Sequence, residues 1–508
     1  MWAVLDDKQA LVTTRRLPEI PGAPLRRLQV DGRDVTVAPH THTAWEALRH
    51  AGLNPPSPLR YYDWPGRHKP MQHQRSTVEH LISHRKAFCL NGLGTGKTLS
   101  NIWAADYLQK QGAVRRVLVV APLSICSYVW ERELFTTLPR RTVAVCRGSR
   151  RRKLQMAADT RIEWLIVNPE SLGVIADHLR GVDLVIVDEF TKFKNARSQR
   201  TKVLRKLSRS TRLWLNSGTP APQSPLDAYG PMTLVRDKPM SFTAWRDMTM
   251  VQVSEFKWLP REGVEETIAR HLQPAVRYRR EDCYDMPDVS VQELEVDLTP
   301  AQDQFIKEIR KEAAAELAGQ TITAANAAAV LIKILQVMGG GVYDEDGRTH
   351  QVSAEPFYEA IEEVVDQADT PVLIFVPFRS AATAVHERLE KAGYNVGKIV
   401  GGTNTTTRRQ VFDGIQNRQL DACVAVASTM SHGLTLTEAR YVLWACPPYS
   451  YEDYEQANGR VIRNGQRNDV VIYHLIQNTL ARELFGRLQS KARLQDTVLN
   501  IIGGEHEC

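Results

Sequence analysis

The sequence predicts an α/β protein with two parallel β-sheets, each covered by helices on both faces. The chain has 508 residues, which is too long for one hydrophobic core and corresponds to roughly three domains at about 150 residues each. Two stretches of the chain repeat short apolar segments separated by amphipathic helical patterns. This alternation is typical of parallel strands buried between helices, and its repetition indicates two α/β lobes.

The short apolar segments are the predicted strands. Those of the first lobe are expected at 86–91, 116–121, 142–146, 164–167, 184–187 and 213–216. Those of the second lobe are expected at 372–376, 396–400, 422–427, 441–445 and 470–475. Between the lobes, two helices are expected at 301–317 and 324–338, before a turn or hinge at Gly339-Gly340-Gly341.

Four segments follow from this pattern and from the turn signals. A small N-terminal accessory module is expected at 1–66, with its own short strands and turns. The first lobe is expected at 67–285 with a helical insertion at about 221–275, the second lobe at 286–485, and a C-terminal helix and tail at 486–508.

Composition excludes several classes of protein. Hydrophobic residues make up 43% of the chain and charged residues 24%, which is ordinary for a globular protein and excludes wholesale disorder. No apolar run approaches the roughly 18 residues of a membrane span, and the first residues lack a secretory signal. The seven cysteines are widely spaced and odd in number, which argues against a disulfide framework and for a cytoplasmic location. His40 and His42 have no further ligands nearby, so no metal site is expected there.

The net charge is +7, but the basic residues are concentrated in two runs. Residues 192–212 contain nine basic residues and no acidic one, and residues 140–153 contain seven and none. Each run indicates either a solvated face or a surface that neutralises phosphates.

The first chemical motif is a phosphate-binding loop, N-G-L-G-T-G-K-T, at 91–98. It follows an apolar strand and precedes a helical pattern, which is the context that such a loop needs. Gly94, Thr95 and Gly96 would let backbone N–H groups surround phosphate oxygens at a helix N-terminus. Lys97 would contact the β- and γ-phosphates, and the Thr98 hydroxyl would bind Mg²⁺.

The second motif is a pair of carboxylates at the end of an apolar strand. Asp188 and Glu189 follow Leu184-Val185-Ile186-Val187, and ligands bind at the carboxyl ends of parallel strands. Asp188 is expected to hold Mg²⁺, and Glu189 to orient or deprotonate the attacking water.

The third motif lies in the second lobe, at 456–466. On a helix, Gln456, Arg460 and Arg463 would share one face, because their spacings are four and three residues. With a phosphate loop in the first lobe, these arginines predict a nucleotide clamped between the lobes, with Arg463 and Arg460 as fingers on the γ-phosphate. The alternative is a surface helix whose arginines form salt bridges.

These motifs together resemble the superfamily-two helicase-type ATPases, specifically the SWI/SNF branch of double-stranded-DNA translocases in a compact bacterial or phage form. The resemblance covers roughly residues 70–500 and implies two RecA-like lobes. Eight motifs occur in order, at 94–98 (I), 120–124 with 130–133 (Ia), 167–172 (Ib), 188–191 (II), 217–220 (III), 372–375 with 378–379 (IV), 428–429 with 433–434 (V) and 456–466 (VI).

The resemblance implies further roles and the cofactors ATP and Mg²⁺. Gln74 would bind adenine, since a side-chain amide offers both a donor and an acceptor. Ser217, Gly218 and Thr219 would couple the nucleotide state to movement. The nucleic-acid backbone would be held by Pro122, Leu123, Ser124, Asn168, Pro169, Arg379, Ser428 and Thr429.

Some positions depart from the family pattern. Asn91 replaces the first glycine of the phosphate loop, and Thr191 stands where motif II usually has histidine. Met430 and His432 replace the arginine and glycine common in motif V, and 222–223 do not fit the usual run after motif III.

The sequence therefore predicts an ATP-dependent translocase that acts as a monomer on duplex or branched DNA and does not associate with a membrane. It would remodel DNA or remove bound proteins in repair, recombination or replication. The alternatives are a strand-separating DNA or RNA helicase and an ATP-gated scaffold without catalysis. A small-molecule kinase would leave the second lobe unexplained.

Overall fold

The structure of the protein is a computed structural model that describes residues 2–221, 224–254, 257–316, 324–343, 348–430, 435–448, 450–463 and 465–488. These residues form two compact units, unit 1 mainly within 2–278 and unit 2 mainly within 279–488. Within the described ranges, no helix has the length and apolar character needed to cross a membrane. The six described cysteines are all free thiols.

An antiparallel sheet begins unit 1. Its strands lie in the order β1-β2-β4-β3, and a helix, α1, follows them. Their bounds are Trp2–Leu5 (β1), Ala10–Thr13 (β2), Arg26–Val30 (β3), Arg33–Pro39 (β4) and His42–His50 (α1). The sheet and α1 share a small apolar core, but α1 also buries Trp45 in the main core of unit 1, beside Leu59 and Tyr62. This segment therefore packs as part of unit 1.

His40 and His42 are held by structural contacts. The His40 ring nitrogens lie 2.9 Å from the Pro56 carbonyl and 3.2 Å from the Tyr61 hydroxyl. Burial lowers the pKa of His42 to about 4, although the Glu46 carboxylate opposes this shift. In the described residues, no group of three or more His, Cys, Asp or Glu side chains could hold a metal ion.

A seven-stranded sheet forms the centre of unit 1, in the order β13-β5-β10-β9-β6-β8-β7, and every neighbouring pair is parallel. Its strands are β5 (Lys86–Cys89), β6 (Arg116–Val120), β7 (Val143–Val145), β8 (Trp164–Val167), β9 (Val182–Asp188), β10 (Arg212–Asn216) and β13 (Ala275–Val276). Helix α2 (Gln72–Ser83) precedes the first of these strands. The helices that follow are α3 (Lys97–Lys110), α4 (Leu123–Ile125), α5 (Arg132–Thr137), α6 (Arg150–Ala158), α7 (Pro169–Ile175) and α8 (Gln199–Leu207). All six strands predicted for this lobe are present.

The predicted helical insertion is only partly helical. It holds the helices α9 (Tyr229–Val235), α10 (Phe242–Thr249) and α11 (Val264–His271). Between α10 and α11, the strands β11 (Met250–Ser254) and β12 (Lys257–Pro260) form an antiparallel hairpin. The apolar side chains Val251, Val253 and Leu259 of the hairpin are 39%, 51% and 43% exposed.

Unit 2 contains a six-stranded parallel sheet in the order β14-β21-β20-β17-β19-β18. Its strands are β14 (Val289–Glu295), β17 (Val372–Val376), β18 (Val396–Ile399), β19 (Ala422–Val426), β20 (Tyr441–Trp444) and β21 (Val470–Ile476). A small hairpin consists of β15 (Gly341–Tyr343) and β16 (Thr349–Gln351). The helices are α12 (Pro300–Glu316), α13 (Ala324–Met338), α14 (Glu355–Asp366), α15 (Arg379–Lys391), α16 (Thr405–Gln416) and α17 (Tyr451–Asn458).

Alternate residues of the unit 2 strands belong to two different cores. In β17, Val372 and Ile374 pack with helices α14 and α15, whereas Leu373 and Phe375 pack with α16 and α17. Successive side chains of a strand point to opposite faces, so continuous apolar strands need helices on both sides. The predicted α/β class with parallel sheets is therefore confirmed.

One cation of the basic run at 140–153 stabilises the fold. Asp106 is 1% exposed, and its carboxylate contacts the Arg141 guanidinium at 3.0 Å and the Tyr62 hydroxyl at 2.9 Å. Arg141 also contacts Glu163 at 2.6 Å. Because these partners are internal, Arg141 is a structural residue and does not contribute to a phosphate-binding face.

Replacing Arg141 by glutamine is expected to lower the free energy of unfolding of unit 1 by about 2–3 kcal/mol, because a buried carboxylate loses its closest cation while Lys110 remains nearby. The melting temperature should fall by about 5 °C or more. The matched control is Arg140→Gln, since Arg140 is exposed, and it should change stability by less than about 0.5 kcal/mol. Equal melting temperatures for the two variants would contradict the structural role.

Candidate functional site

The phosphate loop follows β5 and leads into α3. Gly94 and Gly96 have φ angles of 81° and 80°, in the left-handed region that favours glycine. A Cβ atom at position 96 would also lie 2.2 Å from the Gln74 amide nitrogen. The two glycines are therefore favoured by the backbone conformation, and a side chain at position 96 would displace the end of the Gln74 side chain.

The hydrogen bonds of the Asn91 side chain account for asparagine at a position where the family pattern has glycine. Its amide nitrogen donates to the Thr77 hydroxyl of α2 at 2.8 Å, and its amide oxygen accepts from the Tyr278 backbone N–H at 2.9 Å. The Gly92 N–H in turn donates to the Tyr278 carbonyl at 2.9 Å. The side chain thus ties the start of the loop to α2 and to the segment after β13.

Lys97 and Asp188 lie close to each other at the carboxyl edge of the sheet. The Lys97 ammonium donates to the carbonyls of Asn91 at 2.8 Å and Gly92 at 3.0 Å. Asp188, the last residue of β9, accepts a hydrogen bond of 2.8 Å from the Trp130 indole. Burial raises the pKa of Asp188, while the Trp130 bond and the Lys97 charge act against that rise.

Motifs II and III are hydrogen bonded to each other. Asn216 at the end of β10 lies opposite Asp188 in the parallel register, so Ser217 and Glu189 leave adjacent strands side by side. The Ser217 hydroxyl donates to the Glu189 carboxylate at 3.2 Å, and the Thr219 N–H donates to the Ser217 hydroxyl at 3.0 Å. Gly218 stands between them, and a Cβ atom added at this position would lie 3.7 Å from the Asn91 carbonyl oxygen of the phosphate loop.

Three further residues of the predicted nucleotide site, Gln74, Thr95 and Thr98, belong to the same region. Gln74 is 7% exposed, and its amide oxygen accepts from the Met71 N–H at 3.0 Å, so it caps α2 while its nitrogen faces Gly96. Thr98 is half-buried in the first turn of α3, and the Thr95 hydroxyl bonds to the Gly92 carbonyl at 2.8 Å. Oxygen atoms of Thr98 and Asp188 are of the type that Mg²⁺ prefers.

The predicted single helix through motif VI is wrong. Helix α17 ends at Asn458, and Gln456 is its only predicted site residue. Gly459 follows, and the N–H groups of Arg460 and Val461 bond back to carbonyls three residues earlier, which tightens the chain into turns. Arg460 and Arg463 therefore lie on turns, and the side chains of the motif do not share one helical face.

Arg463 is accompanied by a second arginine of unit 2. Burial, followed by the positive charge of Arg280, lowers the pKa of Arg463. Arg280 donates to the Ile462 carbonyl at 2.5 Å, which fixes it beside the motif. Arg460 is 8% exposed and Gln456 is 3% exposed, and Gln456 donates to Glu452 at 3.3 Å. Asn464 lies outside the described residues.

The residues expected to hold the nucleic-acid backbone in unit 1 follow carboxyl ends of strands. Pro122 to Ser124 come after β6, where Leu123 is 70% exposed. Asn168 comes after β8, caps α7 by position and bonds to Glu170 at 2.7 Å, while Pro169 is buried as the first helical residue. Their common position at one edge agrees with a shared role.

In unit 2 the corresponding residues follow β17 and β19. Arg379 begins α15 and lines a cavity of about 300 Å³ with Gly339 to Gly341. Ser428 is exposed, whereas the Thr429 hydroxyl bonds to the Val426 carbonyl at 2.6 Å. His432, Gly433 and Leu434 of motif V, and Pro222 and Gln223 after motif III, lie outside the described residues.

The basic run at 192–212 divides into paired and unpaired cations. Four of its members contact carboxylates at 3.0–3.8 Å, namely Lys194 with Asp227, Arg200 with Glu170, Lys206 with Asp177 and Arg212 with Glu46. Such pairs cancel charge locally. The expected phosphate contact therefore falls to the other members of the run, which include Arg205 and Arg209.

Residues 73–338 match the SNF2-related domain, and residues 357–465 match the helicase conserved C-terminal domain. The first match alone spans more than half of the 508 residues, so the chain belongs to the SNF2-related family. It is a nucleic-acid-dependent ATPase of the helicase and translocase type, which confirms the resemblance inferred from the motifs.

Individual proteins agree with this family. The chain is 26% identical over 467 residues to protein p41 of Acyrthosiphon pisum secondary endosymbiont phage 1, covering 85% of this chain and 98% of p41. It is 25% identical over 453 residues to the Xenopus tropicalis SWI/SNF-related matrix-associated actin-dependent regulator of chromatin subfamily A-like protein 1. That match covers 84% of this chain and 44% of the relative, so the chain spans less than half the length of the Xenopus protein.

A solved structure is also similar. It is the Sulfolobus solfataricus SWI2/SNF2 ATPase core in complex with dsDNA, at 20% sequence identity and a TM-score of 0.41. The match covers 87% of this chain and 95% of the Sulfolobus chain.

Replacing Trp130 by phenylalanine is expected to lower ATP turnover at neutral pH by about 10- to 100-fold, because the Asp188 carboxylate proposed to hold Mg²⁺ loses a hydrogen bond that contributes about 1.5–3 kcal/mol. Loss of this bond also raises the pKa of Asp188. The carboxylate then becomes protonated at a higher pH, so the acidic limb of the pH–rate profile should shift to higher pH.

Trp103→Phe is the matched control, since it removes an indole bond of 2.9 Å to the Pro65 carbonyl away from the site. Its pH profile should stay in place. An acidic limb that does not move in the Trp130 variant would refute the proposed link to Asp188.

Proposed function

We propose that this protein is an ATP-dependent translocase that moves along duplex DNA without separating its strands. The observation that carries the proposal is the hydrogen bond between Glu189 and Ser217, beside Lys97 and Asp188. This contact joins the group proposed for hydrolysis to the segment proposed for coupling. Membership in the SNF2-related family supports it further.

The chemistry proposed for unit 1 uses its own side chains at defined atoms. The Lys97 ammonium would exchange the loop carbonyls for the β- and γ-phosphates of ATP. Mg²⁺, held by Thr98 and Asp188, would neutralise charge on those phosphates. The Glu189 carboxylate would orient the attacking water and accept its proton, and Gln74 would bind adenine.

Movement requires that hydrolysis changes how the backbone of the nucleic acid is held. A shift of Glu189 would be felt at Ser217, and through the Ser217 hydroxyl at the Thr219 N–H. Arg460 and Arg463, with Gln456, are proposed to supply positive charge and orientation to the phosphates during turnover. The backbone itself would be held by the residues that follow β6, β8, β17 and β19.

The proposed biological task is the remodelling of branched DNA or the removal of bound proteins during repair, recombination or replication. Its similarity to a phage protein favours a bacterial or phage setting. A panel of single-stranded, duplex, forked and RNA ligands tests the substrate class, because duplex DNA should stimulate the ATPase most. Greater stimulation by RNA would transfer the protein to the RNA helicases.

Glu189→Gln should retain ATP binding and lose hydrolysis, and Arg463→Ala should lower turnover by about 10³-fold with little change in ATP affinity. Steady-state ATPase assays with duplex DNA, together with nucleotide binding, measure both. Arg467→Ala is the matched control, since Arg467 is exposed four residues beyond Arg463. Near-normal turnover in either site variant would overturn the assigned role.

The protein should displace a triplex-forming strand, or migrate a branched junction, and should fail to unwind a tailed duplex. Tracking generates force along one backbone, but opening base pairs costs about 1.4 kcal/mol per step and needs a surface that keeps the strands apart. The two assays are run side by side with ATP. Efficient unwinding without triplex displacement would favour a strand-separating helicase.

The β11–β12 hairpin is the one observation that favours this second function. It exposes Val251 and Leu259, which are directly paired across the strands, and this apolar surface could hold separated DNA strands apart. If it does, the Val251→Ser, Leu259→Ser double variant should lose tailed-duplex unwinding while keeping the DNA-stimulated ATPase. If wild-type protein shows no unwinding, the translocase function stands.

A further inference from the structure

A cavity of about 500 Å³ in unit 1 is lined by an unusual concentration of positive charge. Its walls come from the start of β5, the end of α8, and the end of α9 with the segment that follows it. Five cationic side chains face one carboxylate, which leaves an excess of four positive charges; they are Arg85, Lys86, Arg205, Arg209 and Arg236, with Asp237.

This arginine pocket lies at the opposite edge of the sheet from the phosphate loop. Lys86 begins β5, and the same strand ends at Cys89 before the loop. Four residues of a strand extend about 13 Å. The residues proposed to hold the tracked backbone also follow carboxyl ends of strands. The arginine pocket is therefore separate from both.

The arginines of the pocket are oriented without being neutralised. Lys86 contacts Asp237 at 2.9 Å, and this bond lowers the pKa of Asp237. Arg205 donates to the Thr233 hydroxyl at 2.6 Å, and Arg236 donates to the Arg270 carbonyl at 3.0 Å. These acceptors are neutral oxygens, so the guanidinium charges remain.

The remaining contacts complete this picture. Arg85 donates to the Arg209 carbonyl at 3.3 Å, and both of these side chains are exposed. Throughout the described ranges, no carboxylate forms an ion pair with Arg85, Arg205, Arg209 or Arg236. The Nε atom of Arg205 is buried and has no hydrogen-bond partner in the described structure.

We propose that the arginine pocket binds backbone phosphates of a second nucleic-acid segment, such as another arm of a branched substrate. Guanidinium groups match phosphate oxygens through paired hydrogen bonds, and exposed arginines around a half-buried one suit several phosphates of one polymer. The choice of nucleic acid as the source of the phosphates rests on the proposed function. A free phosphate compound is the other source of the same chemistry.

The test compares Arg85→Gln, Arg209→Gln with Arg26→Gln, Arg33→Gln, a control pair on the exposed N-terminal strands that removes the same charge. Fluorescence anisotropy gives affinities for a three-armed junction and for a short linear duplex over a salt series. The pocket variant should lose about tenfold of the preference for the junction. Its junction salt slope should fall by about two, at roughly 0.9 per lost phosphate contact. Equal losses in the control pair would overturn the proposal.

A second variant protects the test against misfolding. Arg205→Gln removes the half-buried cation together with its hydrogen bond to Thr233, and it should weaken junction binding in the same direction while a cooperative melting transition shows that the variant still folds. If the pocket variants instead weaken junction and short duplex equally, the pocket belongs to the tracked path and the second segment is refuted.

Free phosphate is examined in Lys97→Ala protein, where the phosphate loop is weakened. The melting temperature of this protein is measured with and without pyrophosphate, in the presence and absence of the Arg85→Gln, Arg209→Gln substitutions. If pyrophosphate raises the melting temperature only when both arginines are present, and the substitutions do not change junction binding, the pocket binds a small phosphate compound and the nucleic-acid source is refuted. Junction binding needs no turnover. If the protein fails to translocate, the junction-binding result can therefore still be interpreted independently.

Discussion

The hydrogen bonds of Asn91 are the constraint on which the rest of the site depends. One amide joins the phosphate loop to α2 through Thr77 and to Tyr278 at the end of unit 1. The loop carbonyls that these bonds position are the ones that receive the Lys97 ammonium. A glycine at position 91 could follow the same backbone path but could not make either bond. The phosphate loop of this protein is thus held in place by the Asn91 side chain as well as by backbone hydrogen bonds.

The parallel direction of the strands divides unit 1 into two chemical edges. At the carboxyl edge, β9 and β10 bring the acidic pair of motif II beside Ser217, and Trp130 reaches Asp188 from a distant region of the chain. At the amino edge, the start of β5, the end of α8 and the end of α9 bring together the five cations of the arginine pocket, of which Lys86 pairs with Asp237. The arginine pocket and the phosphate loop with its acidic pair therefore lie at opposite edges of the same sheet.

Local patterns were sufficient to predict the fold class and most strands, because strands buried on both faces are continuous apolar runs. Two strands of the parallel sheets were not predicted, because β13 has only two residues and β14 is mostly exposed, with Val289 42% exposed. The end of α17 before Arg460 depends on backbone turns that side-chain spacing does not reveal. The bond between Trp130 and Asp188 joins residues 58 apart in sequence, and the separate fates of Arg141 and Arg205 depend on partners from other elements. The W-E-R-E signature at 130–133 was visible, but it carried no indication of its partner.

Trp45 makes the N-terminal segment part of the main apolar core of unit 1, although the segment lies before the strands of the central sheet in sequence. Its ring is fully buried in the same apolar core as strands β5 and β6, together with Leu59 and Tyr62. A domain that is joined by a linker can be lost without disturbing the rest of a protein. The N-terminal segment differs, because its removal would expose the apolar core of unit 1 to water. Gain or loss of this segment during evolution would therefore require simultaneous repacking of α2 and α3, and the segment and the core are expected to be inherited together.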